Sequence, residues 1–389
     1  MKMVPYLPAE LIDHIIDYLH DDFRSLATCA LTCRQWLPAA HFHTFGSVVL
    51  WPDTCKTFAE LLAASPELAL VVHSVEMRSL VHGSRVWQLV DLSFLDVLTA
   101  VTDLKLNTIR VADAVHEALI RTLLTVRKLA VDGCWFATLQ DFAALASSFR
   151  GIESLAISFL LGDPNAAVVS PPPSLPASLR TIELGDLEWD RMPAVELLDW
   201  LGGVPDPQQI IGLSCHVAWE VWPAQMILGI FGSHLQHLEL VVKTEVSLDR
   251  ILGKAEFSLS QCTNLQTFAL RLWLAEMCVP ENQDLPWVPR LLSQLHCPRL
   301  YKITLSFYAE DMTDLRTLAS ENAVRQLSKA QYFALTALDW TSISATLARA
   351  DFSALRELVI EGRGPKGILE AYIRREHPEL HERGVVTLT

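Results

Sequence analysis

"VTDLKLNTIR" (Val101–Arg110) and "VRKLAVDGCW" (Val126–Trp135) read alike: one aliphatic residue, two variable positions, then aliphatic–any–aliphatic. Successive side chains of a strand point to opposite faces, so the closing triplet predicts a short strand with one buried face. The triplet returns along most of the chain. Its pairs are Leu104/Leu106, Leu129/Val131, Leu155/Ile157, Ile182/Leu184, Ile211/Leu213, Leu238/Leu240, Phe268/Leu270, Ile303/Leu305, Phe333/Leu335 and Leu358/Ile360. Successive first members are 25, 26, 27, 29, 27, 30, 35, 30 and 25 residues apart. Eight of the ten also carry Val, Ile or Leu three residues earlier; Gln208 and Ala330 are the exceptions. Val48/Leu50 and Val75/Met77 extend the array upstream, and Val385–Leu388 predicts a last strand.

A period in the twenties marks a stacked repeat. No single unit can bury its apolar face, but a stack makes one continuous core with a parallel sheet along one side. Between strands, Val115–Leu124, Leu139–Phe149, Val195–Leu201 and Leu315–Leu327 read as helices, and Ser170–Pro173 as a turn outside the stack. The expected fold class is α/β: a solenoid with a curved parallel sheet over residues 46–389, behind a helical unit at 1–45. The competing reading is an α/β domain with coincidental spacing. Ten triplets at nearly fixed phase argue against it.

In the helical unit, Leu11, Ile12, Ile15, Ile16 and Leu19 recur at helical spacing. At 100° per residue they form a stripe roughly 140° wide. Pro8 suits the helix start and Glu10 its positive end. Asp21 and Asp22 can cap a second helix carrying Phe23, Leu26, Ala27, Ala30 and Leu31. Thr32 and Gln35 fit a capping box for a third, with Trp36, Leu37 and Ala40, before Phe45. So small a unit seldom folds alone on one apolar core. Its surplus apolar surface either packs on the rest of the chain or docks a partner.

Composition narrows the partners. The 389 residues are 51% hydrophobic and 20% charged, with net charge −14 and no compensating basic block. Nucleic acid and anionic membranes need clustered positive charge and are not expected partners. No uncharged apolar run reaches the length of a membrane span, and acids interrupt the first apolar segment, which argues against secretion. An intracellular protein, cytoplasmic or nuclear, is expected. Eight cysteines include no C-x-x-C pair and read as buried apolar groups rather than a disulfide or zinc framework.

No catalytic constellation emerges, and neither a cofactor nor a metal site is expected. Gly362–Gly367 lacks phosphate-loop order and carries Pro365. Pro378 between His377 and His381 opposes an H-E-x-x-H zinc helix. His41 and His43 read as a solvated helix end. Strand parity instead points to the sheet face opposite the core, at Lys105, Asn107, Asp132, Ser158, Glu183, Ser214, Glu239, Arg271, Thr304, Ser306, Thr336 and Glu361. Glu183, Glu239 and Arg271 are candidate binding residues there, with Trp273 and Tyr308 as aromatic anchors if their strands run long. An enzyme with a site assembled from distant residues is a further reading, which a cluster of His, acid or Cys side chains would favour.

The ordered set Leu7-Pro8-Ala9-Glu10-Leu11-Ile12, Ile15, Leu19, Leu26–Leu31 and Cys33-Arg34-Gln35-Trp36 resembles an F-box, and Cys29–Ala40 is similar to the form common in large fungal F-box families. Thr32 departs from it, where many F-boxes have an aliphatic residue. The resemblance implies that Leu7, Pro8, Leu11, Ile12 and Ile15 lie at the contact with a Skp-type adaptor of a cullin ubiquitin ligase, and that Trp36 and Leu37 close the motif. The repeats resemble irregular leucine-rich repeats, but the position five after each first strand residue, usually Asn or Cys, matches only at Cys134 and not at Ile109, Leu160, Leu187, Lys243 or Trp273. Together the resemblances imply a substrate-recognition adaptor of an SCF-type ligase, with a protein substrate on the solenoid and no chemistry of its own. A leucine-rich-repeat scaffold outside any ligase is the alternative.

Overall fold

In a computed structural model, three short helices lead into parallel β-structure with one strand per repeat. The structure describes residues 8–81, 83–162, 172–185, 194–217, 221–243, 257–274, 285–309, 338–362 and 386–388. Leu7, Ser170–Pro171, Leu187, Leu315–Leu327, Phe333/Leu335, Thr336, Arg363–Gly367 and His377–His381 lie outside the described residues. The chain divides into two compact units, residues 1–179 with 187–193, and residues 180–186 with 194–389.

The first unit holds α1 (Ala9–Asp17), α2 (Phe23–Thr32), α3 (Leu37–Phe45) and five parallel strands in sequence order: β1 (Ser47–Leu50), β2 (Ser74–Arg78), β3 (Asp103–Asn107), β4 (Lys128–Asp132) and β5 (Ser154–Ser158). Val48, Val75, Leu104, Leu129 and Leu155 stand in register. In β2 to β5 the two triplet residues are buried and their neighbours are not, the alternation a one-faced strand requires. Val72, Val101, Val126 and Ile152, three residues before each pair, are fully buried. The return segments supply α4 (Cys55–Ala64), α5 (Asp113–Thr122) and α6 (Leu139–Ser148). α6 starts on a capping box between Thr138 and Asp141.

Backbone bonds lock each repeat to the next at the leading end of the strands. One carbonyl accepts two consecutive N–H groups from the following repeat: Gly46 from His73 and Ser74, His73 from Thr102 and Asp103, Thr102 from Arg127 and Lys128, Arg127 from Glu153 and Ser154. Hydroxyls reinforce the lock. Thr125 Oγ1 donates to the Val101 carbonyl at 2.6 Å, and Ser178 Oγ to the Ile152 carbonyl at 2.7 Å.

The exits of β3, β4 and β5 explain how the repeats manage without an Asn ladder. Thr108, Gly133 and Phe159, each the first residue after its strand, have φ of 56°, 62° and 46°. Such left-handed residues turn the chain sharply, at a steric cost that only glycine avoids. The parallel ladder then resumes: Trp135 N donates to the Ile109 carbonyl, Val111 N to the Trp135 carbonyl, and Leu161 N to the Cys134 carbonyl, all at 2.8–2.9 Å. Backbone thus takes the bonds that side-chain amides would make, and Ile109, Cys134 and Leu160 are left as apolar core.

The second unit repeats the design with seven strands in sequence order among the described residues: β6 (Thr181–Leu184), β7 (Gly212–Val217), β8 (His237–Lys243), β9 (Thr267–Leu274), β10 (Lys302–Ala309), β11 (Glu357–Gly362) and β12 (Val386–Leu388). Helices α7 (Ala194–Gly202), α8 (Trp222–Phe231), α9 (Trp287–Ser293) and α10 (Trp340–Leu347) return the chain, with α7 packed on α8 and α9 on α10. The same shared carbonyls recur at Arg180, Ile211, Gln236, Gln266 and Tyr301. Gly212 belongs where it stands, because a Cβ would meet the Thr181 Cγ2 at 2.9 Å.

Two sequence expectations need correction here. β7 is shifted: Leu213, not Ile211, aligns with Ile182 and Leu238, so its core pair is Leu213/Cys215. The residue three earlier is then Ile210, fully buried, and the exception at Gln208 disappears. In addition, β10 pairs directly with β11, Ile303 against Leu358 and Leu305 against Ile360, so among the described residues no strand lies between them in the sheet; the Phe333/Leu335 pair read between them lies outside the described residues.

Candidate functional site

The helical unit presents the clearest partition between packing and presentation. α1 begins after Pro8, whose φ of −56° and ψ of 146° place it just outside the helix. Ile12 and Ile16 are buried with Leu26 of α2, and Leu19, Trp36 and Ala39 pack against them. The predicted stripe is thus split along its length. Ile12, Ile16 and Leu19 turn inward, with Ile12 2% exposed; Leu11 is 52% and Ile15 46% exposed. Tyr18 continues the outer row, its ring edge-on to His14 at 5.1 Å, and α2 adds exposed Phe23 and Leu31. Leu11, Ile15 and Tyr18, four and three residues apart, share one side of the helix. Burying an aliphatic side chain is worth roughly 1.5–3 kcal/mol, so this row holds binding energy that folding leaves unused. Ile12 has no such reserve, because it already lies inside the unit.

Polar bonds fix how the three helices sit. The Asp22 carboxylate accepts from Arg24 N and Ser25 N, both at 3.1 Å, and from Ser25 Oγ at 2.7 Å, closing the first turn of α2. These bonds, the Ser25 hydroxyl foremost, hold its pKa below the ordinary carboxylate value. His43 Nε2 meets Asp17 Oδ1 at 2.8 Å and ties α3 to α1, so this imidazole is not the free helix end expected from sequence. The capping box expected at Thr32 is absent. Thr32 is the last residue of α2 and donates its hydroxyl to the Thr28 carbonyl, Cys33 is extended, and α3 starts after Trp36 with Pro38 in its first turn. Leu37, half-buried, is the first residue of α3. At the other end of α3, Phe42 packs edge-on to His73 of the first repeat.

On the outer sheet face of the second unit, the structure brings some candidates together. Ser214 Oγ donates to Glu239 Oε2 at 2.8 Å, and the Arg271 guanidinium pairs with the other Glu239 oxygen. Glu183 is exposed and lies in register with Ser214 and Glu239, one strand beyond the serine. Trp273 and Tyr308 pair in register, but their side chains lie outside the described part. Thr304 and Ser306 share outer-face parity yet are buried, as is Val359 beside them. Ser306, 0% exposed, donates to the Glu361 carboxylate at 2.6 Å. The expected open polar face therefore does not extend over β10 and β11.

Burial keeps the thiols protonated: Cys134, Cys215 and Cys262 are pushed up to about 12, and Cys55 and Cys297 to about 11. These five are packing groups, as is buried Cys29, but Cys33 is exposed against expectation and Cys278 lies outside the described residues.

Residues 4–41 match the family model for F-box-like domains. No curated protein matches the chain. Among solved structures, it is similar to a chain of the yeast complex described as "Crystal structure of Rad7 and Elc1 complex in yeast", with 13% identity, a TM-score of 0.33, and 99% of this chain and 95% of that one covered. The helical unit, with its inward Ile12–Ile16–Leu26 core and outward Leu11–Ile15–Tyr18 row, is an F-box-like domain.

Proposed function

We propose that this chain is a substrate-recognition adaptor of a cullin-type (SCF) ubiquitin ligase, of the kind in which an F-box precedes irregular leucine-rich repeats, as in fungal F-box families. Residues 1–45 dock a Skp-type adaptor, and residues 46–389 hold a protein substrate. The observation that carries this reading is the exposed apolar row on α1 of an F-box-like domain. The chain itself performs no chemistry. It contributes proximity and orientation, the entropic part of catalysis, to ubiquitin transfer by other subunits inside the cell. By resemblance the footprint also takes in Leu7, Pro8, Trp36 and Leu37, although Trp36 packs partly against the inner core.

The test is reconstitution of the full chain with a Skp-type adaptor, a cullin and its RING subunit. Ubiquitin conjugates should form on proteins held by the repeats, and only when the F-box-like unit is intact. Failure of the chain to join these subunits, or an assembled complex that forms no conjugates on proteins held by the repeats, refutes the reading.

One observation favours the alternative of a scaffold outside any ligase. The Gly46 carbonyl, directly after α3, accepts from His73 and Ser74, and Phe42 packs on His73, so the helical unit also covers the first repeat. If covering is its whole role, removing the apolar row on α1 changes no partner.

A further inference from the structure

We infer that the first unit carries a second docking surface, at the exit of its strands, for an extended segment of a partner protein that alternates aliphatic with acidic side chains. Three residues at 25-residue intervals fall into one row. Ser84 bridges Ile109 and Arg110 bridges Trp135, so Arg85, Arg110 and Trp135 stand side by side on adjacent repeats. The Arg110 guanidinium lies over the Trp135 ring, 3.3 Å from its centroid, which fixes the charge in place. Neither Arg85 nor Arg110 has a carboxylate partner among the described residues, although acids outnumber bases by 45 to 31 in the sequence. Burial first, and the like charge of Arg85 second, hold the Arg110 pKa below its ordinary value.

The β2–β3 connection, which carries Arg85, also exposes large aliphatic side chains, the apolar shelf of this proposal. Leu80 is 87% and Leu89 89% exposed, with Val81 exposed between them in sequence. The shelf is built rather than loose. Trp87 is fully buried within the connection and its indole N–H donates to the Arg78 carbonyl at 3.1 Å. Trp87 thus anchors the connection on which Leu80, Val81 and Leu89 stay exposed. The charge pattern selects the occupant. Two guanidiniums with open donors suit carboxylates, the planar fork on an indole favours a charge-assisted bond, and the shelf takes aliphatic residues. The inference does not depend on the ligase reading, since it concerns binding by the purified chain without any adaptor.

The experiment measures fluorescence anisotropy of short labelled peptides on the full-length protein: leucine alternating with glutamate, leucine with lysine, and serine with glutamate. The leucine–glutamate peptide should bind tightest. Arg85→Glu with Arg110→Glu should weaken it by about tenfold or more and strengthen the leucine–lysine peptide, while Leu89→Ser should weaken the first without the reversal. Arg121→Glu with Arg150→Glu, which makes the same charge change away from the row, should leave the order of the three peptides unchanged, and cooperative melting of each variant shows that it is folded. Equal binding of all three peptides overturns the proposal, as does an unchanged affinity in the variants. A dimer lost in Leu89→Ser, with no peptide bound, also overturns it and assigns the shelf to a second copy of the chain.

Discussion

Ile12 and Ile15 are the same residue three positions apart, and they have opposite duties. Ile12 fills the small core with Ile16 and Leu26, so Ile12→Ala should destabilise the helical unit by about 2–5 kcal/mol, as large-to-small core substitutions do. Ile15→Ser and Leu11→Ser should stay within about 0.5 kcal/mol. Hydrogen exchange of α1 and α2 amides in the full chain separates the two, and equal protection loss in all three variants would deny the partition. Asp22 makes a pH prediction. Its pKa is lowered in the folded state, so the cap is worth most above the unfolded carboxylate pKa, and its contribution is lost as pH falls through the lower folded value. Amides in the first turn of α2 should therefore lose protection at acid pH, and Asp22→Asn should flatten that dependence. The sequence placed the cap at the right pair of acids because a carboxylate before an apolar-periodic run has few other uses. It could not assign inward and outward rows on α1, since both are aliphatic.

At the scale of single elements, the strands were legible wherever aliphatic pairs stood alone. They were displaced where such residues overlapped. Ile210, Ile211, Leu213 and Cys215 offer two alternative pairings, and only the register with β6 and β8 chooses Leu213/Cys215. Ile210→Ala should accordingly cost about 2–5 kcal/mol in a denaturation experiment, while Gln208→Ala should cost under about 0.5 kcal/mol. The reverse order would restore the phase read from sequence. The left-handed residues after β3, β4 and β5 were not legible, because threonine and phenylalanine rarely adopt that conformation and neither announces it. Gly133→Ala should destabilise by about 1 kcal/mol, for alanine at positive φ is strained. An unchanged melting temperature would mean that the turn relaxes.

For the whole molecule, a mean period near 28 residues was enough to give the α/β class and the parallel strands, because stacking is the only way such units bury their apolar faces, while the helical leader was legible from the helical spacing of Leu11 to Leu19. Function was less legible for a physical reason. A docking surface is a set of residues that folding leaves unused, and which residues remain unused is decided by the fold as a whole. Thr304 and Ser306 have the parity of an outer face and are nevertheless buried, whereas Arg85, Arg110 and Trp135 gain meaning only once repeats align them. Their equal 25-residue spacing was present in the sequence, but charged and aromatic residues do not drive the period and so drew no attention.

The central claim is that the outer row of α1 docks a Skp-type adaptor while the inner row holds the helices together. Titration calorimetry of a purified Skp-type adaptor against the full-length protein and its Leu11→Asp/Ile15→Asp variant tests it most directly. The account predicts binding to the unaltered chain and about 100-fold or greater loss in the variant, with helical content and repeat stability unchanged. Undiminished binding by that folded variant, or no binding by the unaltered chain, would contradict it.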